Sequence, residues 1–142
     1  MVDRERVLGK LDELDRYVGE LRAVAPGSFE EFLRVEKKRA CERLLQIAVE
    51  ATIDVCHLLV AGLRLGVPAD ETDLFDMLAR RGVISEGLAR TLKEMKGFRN
   101  ILVHEYAEVD DAVVYKAVRD RVGDFALFKR EVLTAIERVD RR

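Results

Sequence analysis

Residues 44–65 read LLQIAVEATIDVCHLLVAGLRL, and how they fold decides the rest of the chain. A helix with one wet face needs apolar residues on a single stripe, but here they cover most of the circumference. Such a helix belongs at the centre of a bundle or in a subunit interface. The ten residues before it, RVEKKRACER, carry Arg34, Lys37, Lys38, Arg39 and Arg43. One helix, wet at its start and dry along its second half, is therefore predicted to run to about Leu65. Ser28 with Glu31 reads as a capping box at its start, and Gly66 and Pro68 close it.

Outward from that helix, the pattern stays helical. Val7, Leu11, Leu14, Val18 and Leu21 recur in steps of four and three, which predicts a first helix from about Asp3 to Val24, stopped by Pro26-Gly27. Asp70 or Thr72 caps a short third helix through Ala79, ended by Gly82. Ser85 caps a fourth, with Leu88, Leu92, Met95, Leu102 and Tyr106 in one row. Asp110 caps a fifth, whose seam is Val114, Val118, Val122, Phe125, Phe128, Val132 and Ile136. No strand, repeat or linker interrupts the series. The expected fold is all-α, an up-and-down bundle of about five helices in one domain spanning residues 1–142.

Composition narrows the chemistry. A formal charge of −2 argues against a protein that coats nucleic acid electrostatically, so any nucleic-acid cleft must be built from a few placed cations. No apolar run approaches the ~20 residues of a membrane span. The start, MVDRERVLGK, is too charged for a signal peptide, which makes the cytoplasm the expected compartment and a membrane an unexpected partner. Cys41 and Cys56 fall on one helix, ~22 Å apart by helical rise, and read as buried, reduced thiols. No metal-ligand spacing exists around His57 and His104, the two histidines, and no cofactor motif is present.

One polar constellation stands out. GFRNILVHEY, residues 97–106, sets Arg99, Asn100, His104 and Tyr106 among apolar neighbours, and Arg99 takes a place in the fourth helix's apolar row. In an unbroken helix Arg99 and His104 lie ~7.5 Å apart in rise and ~140° in rotation, so they do not share a face. Either the helix loosens near its end or a second copy of the chain completes the site. Asn100, four residues from His104, can orient the imidazole. The parts suit metal-free RNA cleavage, in which the 2′-hydroxyl attacks the adjacent phosphorus. A histidine moves a proton near neutral pH and an arginine fork stabilises charge on the phosphate. The plainer reading is a helix C-terminus, where cations satisfy carbonyls and the dipole.

RNILVHEY matches the R-x4-H-x-Y motif, and the chain resembles the HepT-like toxins of the HEPN superfamily. The likeness extends over LLQIAVEATIDVCHLLVAGLRLGVP and over residues 71–115. It implies a homodimeric bundle acting as a metal-independent ribonuclease, with tRNA as one substrate class. It also implies a minimal nucleotidyltransferase antitoxin, encoded next door, that silences the toxin by transferring AMP to a tyrosine. Carried over by position, Arg99 is the phosphate-binding residue, His104 the acid/base, Asn100 a supporting group and Tyr106 the AMP acceptor. Arg99 and Tyr106 are seven apart, two turns along one face, so a nucleotide on the tyrosine can pair with Arg99.

Beyond the motif, Lys96 shares the face of Arg99 and is the preferred auxiliary phosphate contact. Asp54 and His57 read as a satisfied interface pair, Arg34, Lys37 and Lys38 as a solvated face, and Tyr115 as packing. The alternative function is a non-catalytic partner or substrate-binding subunit of a nucleotidyltransferase. A helical scaffold, and then a small-molecule enzyme, rank behind it.

Overall fold

The computed structural model describes residues 1–104 and 109–140. Among them the chain forms seven helices and no strand: α1 Arg4–Val24, α2 Phe29–Phe32, α3 Val35–Gly62, α4 Glu71–Arg80, α5 Glu86–Val103, α6 Asp111–Asp120 and α7 Gly123–Asp140. Helix α3 is the axle. Helices α1, α2, α4, α5 and α6 all pack on it, and α7 closes the bundle against α1 and α5.

The caps fall where short polar side chains stand before apolar rows. Asp3, Ser28, Asp70, Ser85 and Asp110 each accept a backbone N–H from the first turn of the following helix. Glu31 accepts the Gly27 N–H at 3.0 Å, one residue before the position a capping box uses. Of the two candidates for α4, Asp70 is the cap, at 2.8 Å from Asp73 N. Gly82, at φ 80°, ends α4 in the left-handed region that glycine enters freely.

Two of the expected five helices are broken, giving seven. The long second helix divides at Leu33–Arg34, where Arg34 is extended at φ −65° and ψ 132°. The break turns α2 back so that Phe32 is fully buried, with Tyr115 of α6 within 5.8 Å of its ring and 5.6 Å of Phe29. Tyr115 is therefore a packing residue. The fifth helix divides at Arg121–Val122, held by Arg121, which bridges Glu94 and Asp124 at 2.8 Å each. All seven seam residues from Val114 to Ile136 are nonetheless buried. Helix α3 also stops at Gly62 rather than near Leu65. A Cβ at Gly62 would stand 2.7 Å from the Val2 backbone, so only glycine lets the N-terminal segment cross there.

The dry half of α3 is core on one side and wet on the other. Leu45, Ala48, Val49, Ala51, Thr52, Ile53, Val55, Cys56, Leu59 and Val60 are buried, whereas Asp54 and His57 are exposed. Asp54 pairs with Lys10 of α1 at 3.2 Å and makes no ion pair with His57 within one chain. Contrary to the reading that no run approaches a span, an 18-residue window of α3 reaches a mean hydropathy of 1.7, enough to cross a membrane by length and composition. Some 56% of that window is buried inside the fold, the surroundings of a core helix. Cys41 and Cys56 are free and fully buried, and burial pushes both thiols up.

Candidate active site

Helix α5 carries Arg99 and Asn100 in its last turns and ends just before His104. Its buried row runs through Leu88, Leu92 and Met95 to the Arg99 side chain, which is only 15% exposed. A guanidinium at that depth needs a partner. Glu71, in the first turn of α4, supplies it by accepting from Arg99 Nη2. The neighbouring Nε is buried and has no acceptor among the described residues.

This contact is the last tooth of an antiparallel zipper. Lys93 pairs with Asp76 at 2.6 Å, Lys96 donates to Thr72 Oγ1 at 3.3 Å, and Arg99 meets Glu71. Three cations at i, i+3 and i+6 on α5 thus face acceptors taken in reverse order along α4. Sequence reasoning missed Glu71. Spacing alone does not reveal it, because Lys93, Lys96 and Arg99 step by three and three whereas Asp76, Thr72 and Glu71 step by four and one. Lys96 lies beside Arg99, as its spacing requires.

His104 leaves helical geometry. At φ −81° and ψ 117° it is extended, and its N–H still reaches the Asn100 carbonyl at 3.2 Å. The helix therefore does end between the two motif residues, one of the two arrangements that the geometry of an unbroken helix left open. Asn100 is half-buried, and the hydrogen bond that joins it to His104 runs through the backbone rather than the side chains. Tyr106 lies outside the described residues.

The His104 side chain is exposed and lines an open cleft of about 530 Å³, whose opposite wall is the charged first half of α3. Lys38, Arg39, Glu42, Arg43 and Gln46 form that wall, and Asp111 opens α6 beside it. Arg99 is not among the lining residues, so one chain presents the two motif residues to different surroundings. Lys38 pairs with Asp111 at 2.9 Å and Lys37 donates to the Val24 carbonyl at 3.2 Å, so these two lysines tie elements together instead of forming a purely solvated face. Among the described residues no three His, Cys, Asp or Glu side chains are grouped so as to hold a metal.

Comparison with known proteins places the chain in a family. Residues 12–132 match the family described as ribonuclease HepT-like. The mRNA nuclease HepT of Shewanella oneidensis is 37% identical over 84 residues, 59% of this chain and 63% of that protein. The tRNA nuclease HepT of Aphanizomenon flos-aquae is 27% identical over 124 residues, 87% of this chain and 84% of that protein. Among solved structures, the tri-AMPylated Shewanella oneidensis HEPN toxin in complex with MNT antitoxin superposes with a TM-score of 0.84 at 28% identity, over 90% of this chain and 96% of that one. With a family match across most of its length and a shared fold, this chain belongs to the HepT-like family of the HEPN superfamily.

Proposed function

We propose that this protein is a metal-independent RNA endonuclease and the toxin of a toxin–antitoxin pair, acting in the cytoplasm as a homodimer. The observation that carries the reading is the end of α5 at Val103, which frees His104 from the helix and sets it at the mouth of a polar cleft. The nuclease names of its relatives and the AMPylated toxin complex with the same fold support it.

In the proposed step the 2′-oxygen bonds to phosphorus and the bond from phosphorus to the 5′-oxygen breaks. His104 moves one of the two protons, from the 2′-hydroxyl or to the leaving 5′-oxygen, and water in the open cleft handles the other. Arg99 binds the phosphate and stabilises its growing charge, Asn100 supports the end of the helix, and Lys96 adds a nearby positive charge. The product is a 2′,3′-cyclic phosphate and a 5′-hydroxyl. Two copies bring a second motif to the site, and tRNA is the proposed substrate. A minimal nucleotidyltransferase silences the toxin by transferring AMP to Tyr106.

Growth after induced expression tests this reading. Toxicity should require His104, disappear in His104→Ala, and be relieved by the neighbouring gene. Purified protein should cut tRNA in excess chelator and leave cyclic phosphate ends; 3′-hydroxyl ends would refute the mechanism. The complex with MNT antitoxin favours one other reading, a non-catalytic subunit that serves a nucleotidyltransferase. On that reading His104→Ala leaves function intact.

A further inference from the structure

The wall opposite His104 has no role in the chemistry so far described. Arg39, Arg43 and Gln46 stand at i, i+4 and i+7 of α3 and so line one face of the helix. Three cations, Lys38, Arg39 and Arg43, meet two carboxylates, Glu42 and Asp111, in the cleft lining. That local excess is notable in a chain of net charge −2. Lys38 is held by Asp111 at 2.9 Å and Arg39 by Glu42 at 2.8 Å. Arg43 is exposed and makes no ion pair or hydrogen bond among the described residues, so its charge is available to a ligand.

We propose that this cleft is the track for the RNA strand beside the scissile phosphate, with Arg43 as its principal phosphate contact and Arg39 and Gln46 continuing the same face. The inference rests on the ribonuclease reading and adds where the strand lies. An open trough suits a polyanion that must enter sideways. A wall whose other cations are already tied to α3 and α6 keeps its shape when the strand arrives. A phosphate contact of this kind reads backbone and not bases, so it contributes affinity across sequences.

The test measures binding of a fluorescently labelled, mixed-sequence single-stranded RNA to the full chain in a His104→Ala background, where the probe survives, over a series of salt concentrations. Arg43→Ala should weaken binding on the order of tenfold and reduce the slope of log affinity against log salt by about 0.7, one phosphate contact on a single strand. Arg43→Lys should retain most of both. With His104 restored, Arg43→Ala should raise the RNA concentration needed for half-maximal cleavage while leaving the rate at saturation largely unchanged. Arg43 is exposed, so the folded state survives the substitution, as a thermal melt will verify. An unchanged slope and affinity in Arg43→Ala, with the parent binding normally, would overturn the track. So would a variant that binds and cuts RNA normally but escapes the antitoxin, because the cleft would then be a protein-docking surface. If the parent neither binds nor cuts RNA, the ribonuclease reading itself falls and the track falls with it.

Discussion

Arg99 occupies a position in α5 that an apolar residue would fill at no electrostatic cost, and Glu71 makes its charge tolerable there. The two partners are unequal, since the Arg99 side chain is 15% exposed and that of Glu71 33%. Removing Glu71 strands a guanidinium in the drier position, so Glu71→Ala should lose about 1.5–3 kcal/mol in urea unfolding. Arg99→Ala leaves the more exposed carboxylate behind and should cost less than that, while abolishing cleavage. Equal losses in the two variants would mean that the pair is not desolvated as its depth implies. Tyr106→Phe should cut RNA normally and resist silencing, which intact-mass measurement after incubation with ATP and the nucleotidyltransferase will reveal as missing AMP. At this scale the sequence was informative about chemistry and silent about partners. Arg99, Asn100 and His104 announced themselves as polar residues in an apolar row. Glu71 did not, because its role depends on a neighbouring helix meeting α5 antiparallel.

Among the elements, caps and seams were legible and interruptions were not. Ser28, Asp70, Ser85 and Asp110 act locally, within four residues, so a short stretch of sequence contains the whole interaction. The break between α6 and α7 preserves the apolar spacing on both sides, so Val114, Val118, Val122 and Phe125 look the same with or without it. The break at Arg34 arises from distant contacts, the burial of Phe32 and the rings around Tyr115. Phe32 thus holds the α2 turn in place. Phe32→Ala should destabilise the protein by about 3–5 kcal/mol, the usual cost of emptying a buried phenylalanine site. A loss under about 1 kcal/mol would show that α2 is an ornament on α3.

For the whole molecule, ionisation bounds the stable range on both sides. The Gly27 N–H, with Lys37 and Arg34 nearby, holds Glu31 below the usual carboxylate range, and Arg119 does the same for Asp120. Groups whose folded pKa is depressed stabilise the fold above their unfolded pKa of about 4, and that contribution is lost as pH falls. Cys41 and Cys56 are raised by burial, so theirs is complete below the unfolded pKa of about 8.5 and is lost as pH rises. The urea midpoint should therefore be flat between about pH 5 and 8 and fall on either side. In native protein neither thiol should react with a disulfide reagent, and both should react once urea unfolds the chain. Ile101 and Val103, 46% and 45% exposed beside His104, are apolar where a lone bundle would be polar. Light scattering should find a homodimer, and Ile101→Glu should dissociate it and reduce cleavage.

The stop of α5 at Val103 also constrains how this site can vary. A helix advances each residue by about 100° around its axis, so every added helical residue re-aims the side chains beyond it, as a gear slipped by one tooth re-indexes its train. Inserting one alanine between Val103 and His104 leaves Arg99, Asn100 and His104 chemically untouched. It should nevertheless silence the enzyme while leaving the melting temperature nearly unchanged. Chain length between the two motif residues is then itself under constraint, and their identity is only half of the requirement.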